Sequence, residues 1–141
     1  KTKYNKFLKN QRIKMKKIIS TTKAPSAIGP YNQATSFEKL VFTSGQIALD
    51  PTTMEIVNGG VQEQTKQVME NLKAVLEESS SSFENVLKTT CYLSDMDNFV
   101  AFNEIYGEYF KGETAPARST VAVKTLPKNV LVEVDVIAFK N

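Results

Sequence analysis

Chemistry in this chain has few residues to rest on. The sequence holds no histidine and a single cysteine, Cys91. That excludes Ser-His-Asp and Cys-His catalysis, histidine-based zinc and copper sites, and thiolate clusters. Carboxylates, lysines, hydroxyls, backbone groups and arginine remain. Arginine is scarce: residues 18–141 contain nine lysines and one arginine, Arg118. A guanidinium is a planar fork that meets a carboxylate in two parallel hydrogen bonds, which an ammonium cannot do. An arginine at the mouth of a strand, in a body that otherwise uses lysine, is either an anion clamp or a structural salt bridge. Composition alone leaves both open.

The C-terminal segment suggests which groups could join Arg118. Ser119–Lys124 and Val130–Phe139 read as strands, with Leu126–Pro127–Lys128–Asn129 as a four-residue hairpin connection. Pairing Thr125 with Val130 sets Arg118 opposite Ile137, Thr120 opposite Asp135 and Ala122 opposite Glu133. Opposed residues share a side of a sheet. Arg118, Thr120, Glu133 and Asp135 are then expected on one face, with Val121, Val123, Val134 and Val136 on the core face. A slip of one residue would undo this, and alternating acids on a last strand equally make a solvated sheet face.

The elements that must position these groups alternate along the chain. Ala24–Pro30 is loop, with two prolines and a glycine. Tyr31–Thr35 and Leu40–Ser44 read as strands. Val61, Thr65, Val68, Leu72, Val75 and Leu76 recur at helical spacing, predicting an amphipathic helix over 61–78 that Ser79–Ser82 breaks. Val86–Leu93 is rich in β-branched residues and predicts a strand with Cys91 in the core. Asp97 can cap a second helix, striped by Phe99, Phe102, Tyr106 and Phe110 and ended by Gly112. That stripe reads as core packing. The order ββ-α-β-α-ββ predicts an α+β fold, a mixed β-sheet with two helices on one face.

Charge divides the chain in two. Residues 1–17 carry seven lysines and Arg12 with no acid, so +8; residues 18–141 carry ten basic and fifteen acidic residues, so −5. We therefore read residues 1–17 as a basic N-terminal extension and 18–141 as one domain. An acidic body is a poor general platform for phosphate backbones, so nucleic acid is expected, if at all, only through the basic arm. No apolar run approaches the ~20 residues of a membrane span. The lone cysteine fits a reducing compartment, the cytoplasm in the first instance, with mitochondrion or plastid as alternatives.

Several separated segments together resemble the RidA (YjgF) family. They are Ala24–Pro25 with Ile28–Gly29–Pro30–Tyr31 and Gln33; Thr43–Ser44–Gly45–Gln46–Ile47; Asn71–Leu72–Lys73–Ala74–Val75; Val86–Leu87–Lys88–Thr89–Thr90; Phe102–Asn103 before Tyr106 and Phe110; Pro116–Ala117–Arg118–Ser119; and Leu126–Pro127–Lys128 followed by Glu133. They occur in family order over about residues 18–139, and the arm lies outside them. The resemblance implies a chorismate mutase-like homotrimer with clefts between subunits. It implies hydrolysis of short 2-imino acids, the tautomers of enamines released by pyridoxal-phosphate enzymes, to 2-keto acids and ammonia, with no cofactor and no metal. Arg118 is then expected to grip the substrate carboxylate and Glu133 to hold or activate the attacking water. Tyr31 is expected to place its hydroxyl in the cleft from a neighbouring subunit, Ser44 and Gly45 to border the ligand, and Asn103 to line the cleft. Thr120 stands where some relatives have cysteine; backbone contacts survive that change and a thiol role does not. Two rival readings accompany this one: an RNA-binding or endoribonuclease-type translation inhibitor, and a non-enzymatic ligand-binding or chaperone-like trimer.

Overall fold

The computed structural model describes residues 3–5 and 15–141. Residues 1–2 and 6–14 of the basic extension lie outside the described residues. Six strands form one mixed sheet: β1 (Lys17–Ile19), β2 (Ala34–Phe37), β3 (Leu40–Thr43), β4 (Val86–Leu93), β5 (Ala117–Ala122) and β6 (Val132–Phe139). Their order across the sheet is β1-β2-β3-β6-β4-β5. Two helices, α1 (Val61–Glu78) and α2 (Phe99–Tyr109), pack together over one face. This is the α+β architecture expected from the alternation of elements. β1 was not foreseen, and its first residue, Lys17, pairs with Ser36, so the basic run overlaps the first strand.

Burial follows period. In α1 the expected positions Val61, Thr65, Val68, Leu72, Val75 and Leu76 are all buried. They meet the buried alternate residues of β6, Val132, Val134, Val136 and Ala138, and Phe102 from α2. Glu63 starts the helix by accepting the Gly60 N–H at 2.8 Å. Ser79 ends it, donating its hydroxyl to the Val75 carbonyl at 2.7 Å, and Ser80 turns left-handed (φ 58°). The helix thus stops at the serine run as its composition suggested.

Other boundaries moved. Tyr31 lies in a loop, and β2 starts only at Ala34. Asp97 does not cap α2. The Asp95 carboxylate accepts the Asp97 N–H at 2.8 Å in a 3-10 turn over Met96–Asn98, and α2 starts at Phe99 with no side-chain cap. α2 ends at Tyr109, and Gly112, at φ 58°, opens a further turn.

The larger correction concerns β5 and β6, which are not a hairpin. β5 pairs parallel with β4, Arg118 opposite Thr89 and Val121 opposite Tyr92. β6 pairs antiparallel with β4 on its other side, Val136 opposite Thr89 and Glu133 opposite Tyr92. The chain after β5 must therefore cross β4 before returning as β6. Val123 donates to the Leu93 carbonyl at 2.9 Å, and Lys128 and Asn129 turn left-handed (φ 55° and 54°). That path is no tight turn. Strand–helix–strand over β4, α2 and β5 is the crossover unit that makes neighbouring strands parallel.

One buried polar side chain ties helix to loop. Asn71, 1% exposed on α1, donates to the carbonyls of Leu49 (2.9 Å) and Ile47 (3.2 Å) and accepts from Gln67 (2.8 Å). Removing it strands two carbonyls in the interior. Asn71→Ala is expected to cost about 1–3 kcal/mol, read by urea denaturation. An unchanged midpoint would mean that water replaces the amide.

Candidate active site

The expected site residues form two groups on opposite sides of the sheet. Arg118 shares a side with Thr89 and Val136, which are 0% and 1% exposed beneath the helices. Glu133 shares the other side with Tyr92 and Val121, and Val121 is 47% exposed there. The expected common face for Arg118, Thr120, Glu133 and Asp135 is thus wrong within one subunit, and Val121 is not core. Inserting β4 between the strands flips β5 relative to the assumed pairing. Val134 and Val136 do line the core, as expected.

The first group surrounds Glu133 in a cavity of about 420 Å³ that Tyr31, Ser44 and Gly45 also line. Three of these groups are fixed by backbone geometry. Gln46 and Val134 exchange both backbone hydrogen bonds (2.9 and 3.2 Å), which brings Gly45 against Glu133. A Cβ on Gly45 would stand 2.8 Å from the Glu133 Cδ, so only glycine lets this carboxylate cross the backbone there. Ser44 donates its hydroxyl to the Asn32 carbonyl at 2.5 Å, committing its proton and leaving its oxygen as an acceptor. The Tyr31 hydroxyl accepts the Ile28 N–H at 3.3 Å and so keeps its own proton to donate. The ring folds back over Gly29, whose added Cβ would lie 3.3 Å from it.

Burial raises the Glu133 carboxyl above its usual 4.5, and the nearby Asp135 charge adds to the rise. Asp135 is raised by burial as well, opposed by its hydrogen bond from Tyr92. A carboxylate with a raised pKa is a stronger base than one in water.

The second group is Arg118, Asn103 and Thr120. Arg118 donates from Nη1 to the Asn103 Oδ1 at 2.6 Å, and its Cζ lies 4.7 Å from the Tyr106 ring centroid and 5.4 Å from that of Phe99. Asn103 therefore meets the arginine itself. The Thr120 hydroxyl is buried, with no hydrogen-bond partner among the described residues. Beside it in the sheet, Cys91 is fully buried, as expected, and burial pushes its thiol up to about 11. A thiol so protonated is no nucleophile at neutral pH. Among the described residues, no group of three or more His, Cys, Asp or Glu side chains is placed to hold a metal ion, and no helix is long and apolar enough to cross a membrane.

Sequence reasoning gave Gln33 and Asn71 no site role, quoting both only within motifs. Gln33, 3% exposed, accepts the Thr21 N–H (2.6 Å) and donates towards the carbonyls of Thr21, Ala24 and Pro25 (2.9, 3.2 and 2.8 Å). It pins the loop leading to Tyr31. The available signal was only its place in a quoted motif, since its neighbours Asn32, Thr35 and Ser36 are polar too. Phe99 and Tyr106 read only as core, yet both also support the guanidinium.

Comparison with known proteins is consistent over nearly the whole domain. A family model described as Endoribonuclease L-PSP matches residues 21–140. A RutC family protein of Synechocystis is 57% identical over 123 residues, 86% of this chain and 95% of that protein. The mouse 2-iminobutanoate/2-iminopropanoate deaminase is 47% identical over 127 residues, 90% of this chain and 93% of that protein. The crystal structure of Escherichia coli TdcF with bound serine superposes with a TM-score of 0.83 at 41% identity, covering 89% of this chain and 99% of that one.

The seat of Glu133 makes a structural prediction. Gly45→Ala is expected to push the carboxyl towards solvent and lower its pKa towards the ordinary range, measured by NMR titration of the side-chain carbon. An unmoved titration would show that the backbone yields instead.

Proposed function

This chain belongs to the RidA (YjgF) family, the family described as Endoribonuclease L-PSP, and on that premise we propose that it hydrolyses short-chain 2-imino acids to 2-keto acids and ammonia as a homotrimer. The observation that carries the reading is the division of the site. Among the described residues, the guanidinium held by neutral groups makes no salt bridge on one side of the sheet, and on the other side the base-like Glu133 carboxylate makes none, with Lys128 at the rim of its cavity. One small substrate cannot join them within a subunit. Two copies of the chain can, if the Arg118 side of one meets the Glu133 cavity of the next.

Assembly has a surface to use. The sheet face away from the helices carries Phe37, Leu40, Phe42, Val121 and Phe139, each 38% exposed or more, with no helix over it. Phe37, Leu40, Phe42 and Phe139 adjoin on neighbouring strands, and an exposed apolar cluster of this kind supports an interface. Three copies turning this face inward would cover it and close three clefts, the arrangement that the family resemblance implies.

In such a cleft the roles follow from the groups. Arg118 takes the imino-acid carboxylate in two parallel hydrogen bonds. Glu133 accepts a proton from water as the oxygen adds to the C=N carbon. The Tyr31 hydroxyl, whose proton is uncommitted, donates towards the imine nitrogen. Glu133 then passes its proton to that nitrogen, the carbinol O–H returns a proton to the Tyr31 oxygen as the C–N bond breaks, and ammonia and a keto acid leave. No group is consumed, and neither metal nor cofactor enters the balance. Relatives at 47% and 42% identity bear the name of this deaminase, and TdcF was crystallised with serine, which presents the same carboxylate.

The test couples threonine dehydratase to semicarbazide trapping. Added protein is expected to speed keto-acid formation; no acceleration would sink the proposal. Arg118→Ala and Arg118→Lys are both expected to lose roughly 10²-fold or more, because lysine keeps the charge and loses the fork. Near-normal activity in Arg118→Lys would show that charge suffices. Mixing unfolded Arg118→Ala with unfolded Glu133→Gln and refolding them together is expected to restore about a quarter of wild-type activity by random assortment of subunits; no restoration would place the pair within one subunit. A base acts only when deprotonated, so kcat/KM falls as pH drops through the raised Glu133 value, above 4.5. The residual rate of Glu133→Gln is expected to lack that limb. RNA binding that vanishes on removal of residues 1–17 and weakens steeply with salt would instead favour a nucleic-acid role.

A further inference from the structure

Arg118 lies against one face of α2. Phe99, Asn103 and Tyr106 follow one another at helical spacing, and all three meet the guanidinium. The Tyr106 ring is itself fixed. Its hydroxyl shares a 2.8 Å hydrogen bond with Thr89, the residue directly opposite Arg118 on β4, and its ring packs against Phe102 and Phe110 at 5.4 and 4.8 Å. The helix and the strand beside the arginine thus clamp the surface on which the arginine rests.

All of these supports are neutral. An aromatic face attracts a cation without cancelling its charge, and an amide oxygen takes one N–H and leaves the others. A carboxylate in the same place would orient the fork and also satisfy it. We infer that Phe99, Asn103 and Tyr106 form a guanidinium cradle, with Phe99 and Tyr106 as positioning residues that present the remaining N–H edge of Arg118 to a substrate carboxylate. The inference rests on the carboxylate-binding role proposed above. It adds a reason for arginine at this position, because a planar ion stacks on a ring and an ammonium does not. It also gives the aromatic stripe of α2 a second duty beside core packing.

A cradle built for a guanidinium should accept one that is not attached to the chain. Arg118→Ala leaves it empty, and guanidinium chloride, far below denaturing concentration, is the probe. Guanidinium is expected to shift the NMR signals of Phe99 and Tyr106 in Arg118→Ala and to restore imine hydrolysis about tenfold over the unsupplemented variant, while methylammonium restores none. Phe99→Leu in the Arg118→Ala background is expected to lose both binding and rescue. Tyr106→Phe, which keeps the ring, retains them, and Tyr106→Leu does not. In the otherwise native chain Phe99→Leu is expected to raise KM about three- to tenfold with little change in kcat, since the carboxylate is held alike in ground and transition states.

Failure separates cleanly from failure of the parent reading. If the native protein speeds imine hydrolysis but guanidinium neither binds nor rescues Arg118→Ala, or methylammonium does equally well, the cradle is overturned. If the native protein is inactive on imines and guanidinium still binds Arg118→Ala in a Phe99-dependent way, the cradle stands and the deaminase does not.

Discussion

Strand β4 bonds β6 along one edge and β5 along the other, and the chemistry of the molecule depends on that placement. Residues two strands apart are separated by a fixed number of hydrogen-bonded steps, so the central strand decides which side each presents. Thr89 aligns Arg118 with the helix side, and Tyr92 aligns Glu133 with the open side. Neither assignment can change without breaking a ladder. A guanidinium and a carboxylate that would otherwise pair with each other are thereby kept apart within the subunit. Each retains unsatisfied capacity, and capacity of that kind is what binds a ligand.

The surroundings differ according to what each group must do. Around Glu133 the design works by proximity: a glycine lets the side chain cross a backbone, and burial weakens the grip of solvent on its charge. Around Arg118 it works by support without neutralisation, through two rings and an amide oxygen. The Glu133 group depends on remote polar anchors. Gln33 holds the approach to Tyr31, and Asn71 holds Ile47 and Leu49 beside Gly45. Buried amides of this sort are satisfied in one geometry only, which lends loops the rigidity of helices and strands.

Much of this was legible in residue order. The 3.6-residue period of α1 and the β-branched run of β4 stated their elements outright, with Val86–Leu93 exact at both ends. The motifs of distant segments include Tyr31, Ser44, Gly45 and Glu133, which the fold brings round one cavity, and Arg118, which it sets on the other side of the sheet. What failed was pairing. The segment between β5 and β6 contains Leu126–Pro127–Lys128–Asn129, which satisfies the local rules of a turn, while the competing crossover from β4 through α2 is decided by packing across the sheet. Local composition cannot weigh one against the other, although strand–helix–strand was itself the clue. The caps of α2 failed for a related reason: Asp95 and Asp97 both have capping chemistry, and only the 3-10 turn between them selects one.

Cys91 carries a consequence of a different kind. Its thiol is wholly enclosed, held protonated by burial, and the chain has no second sulfhydryl with which it could cross-link internally. While the fold is closed, oxidants and alkylating reagents have no purchase on it, so the folded molecule has no thiol redox state that varies with its surroundings. Its sulfur becomes a reactant only when the sheet opens, and its rate of labelling is then a clock for unfolding.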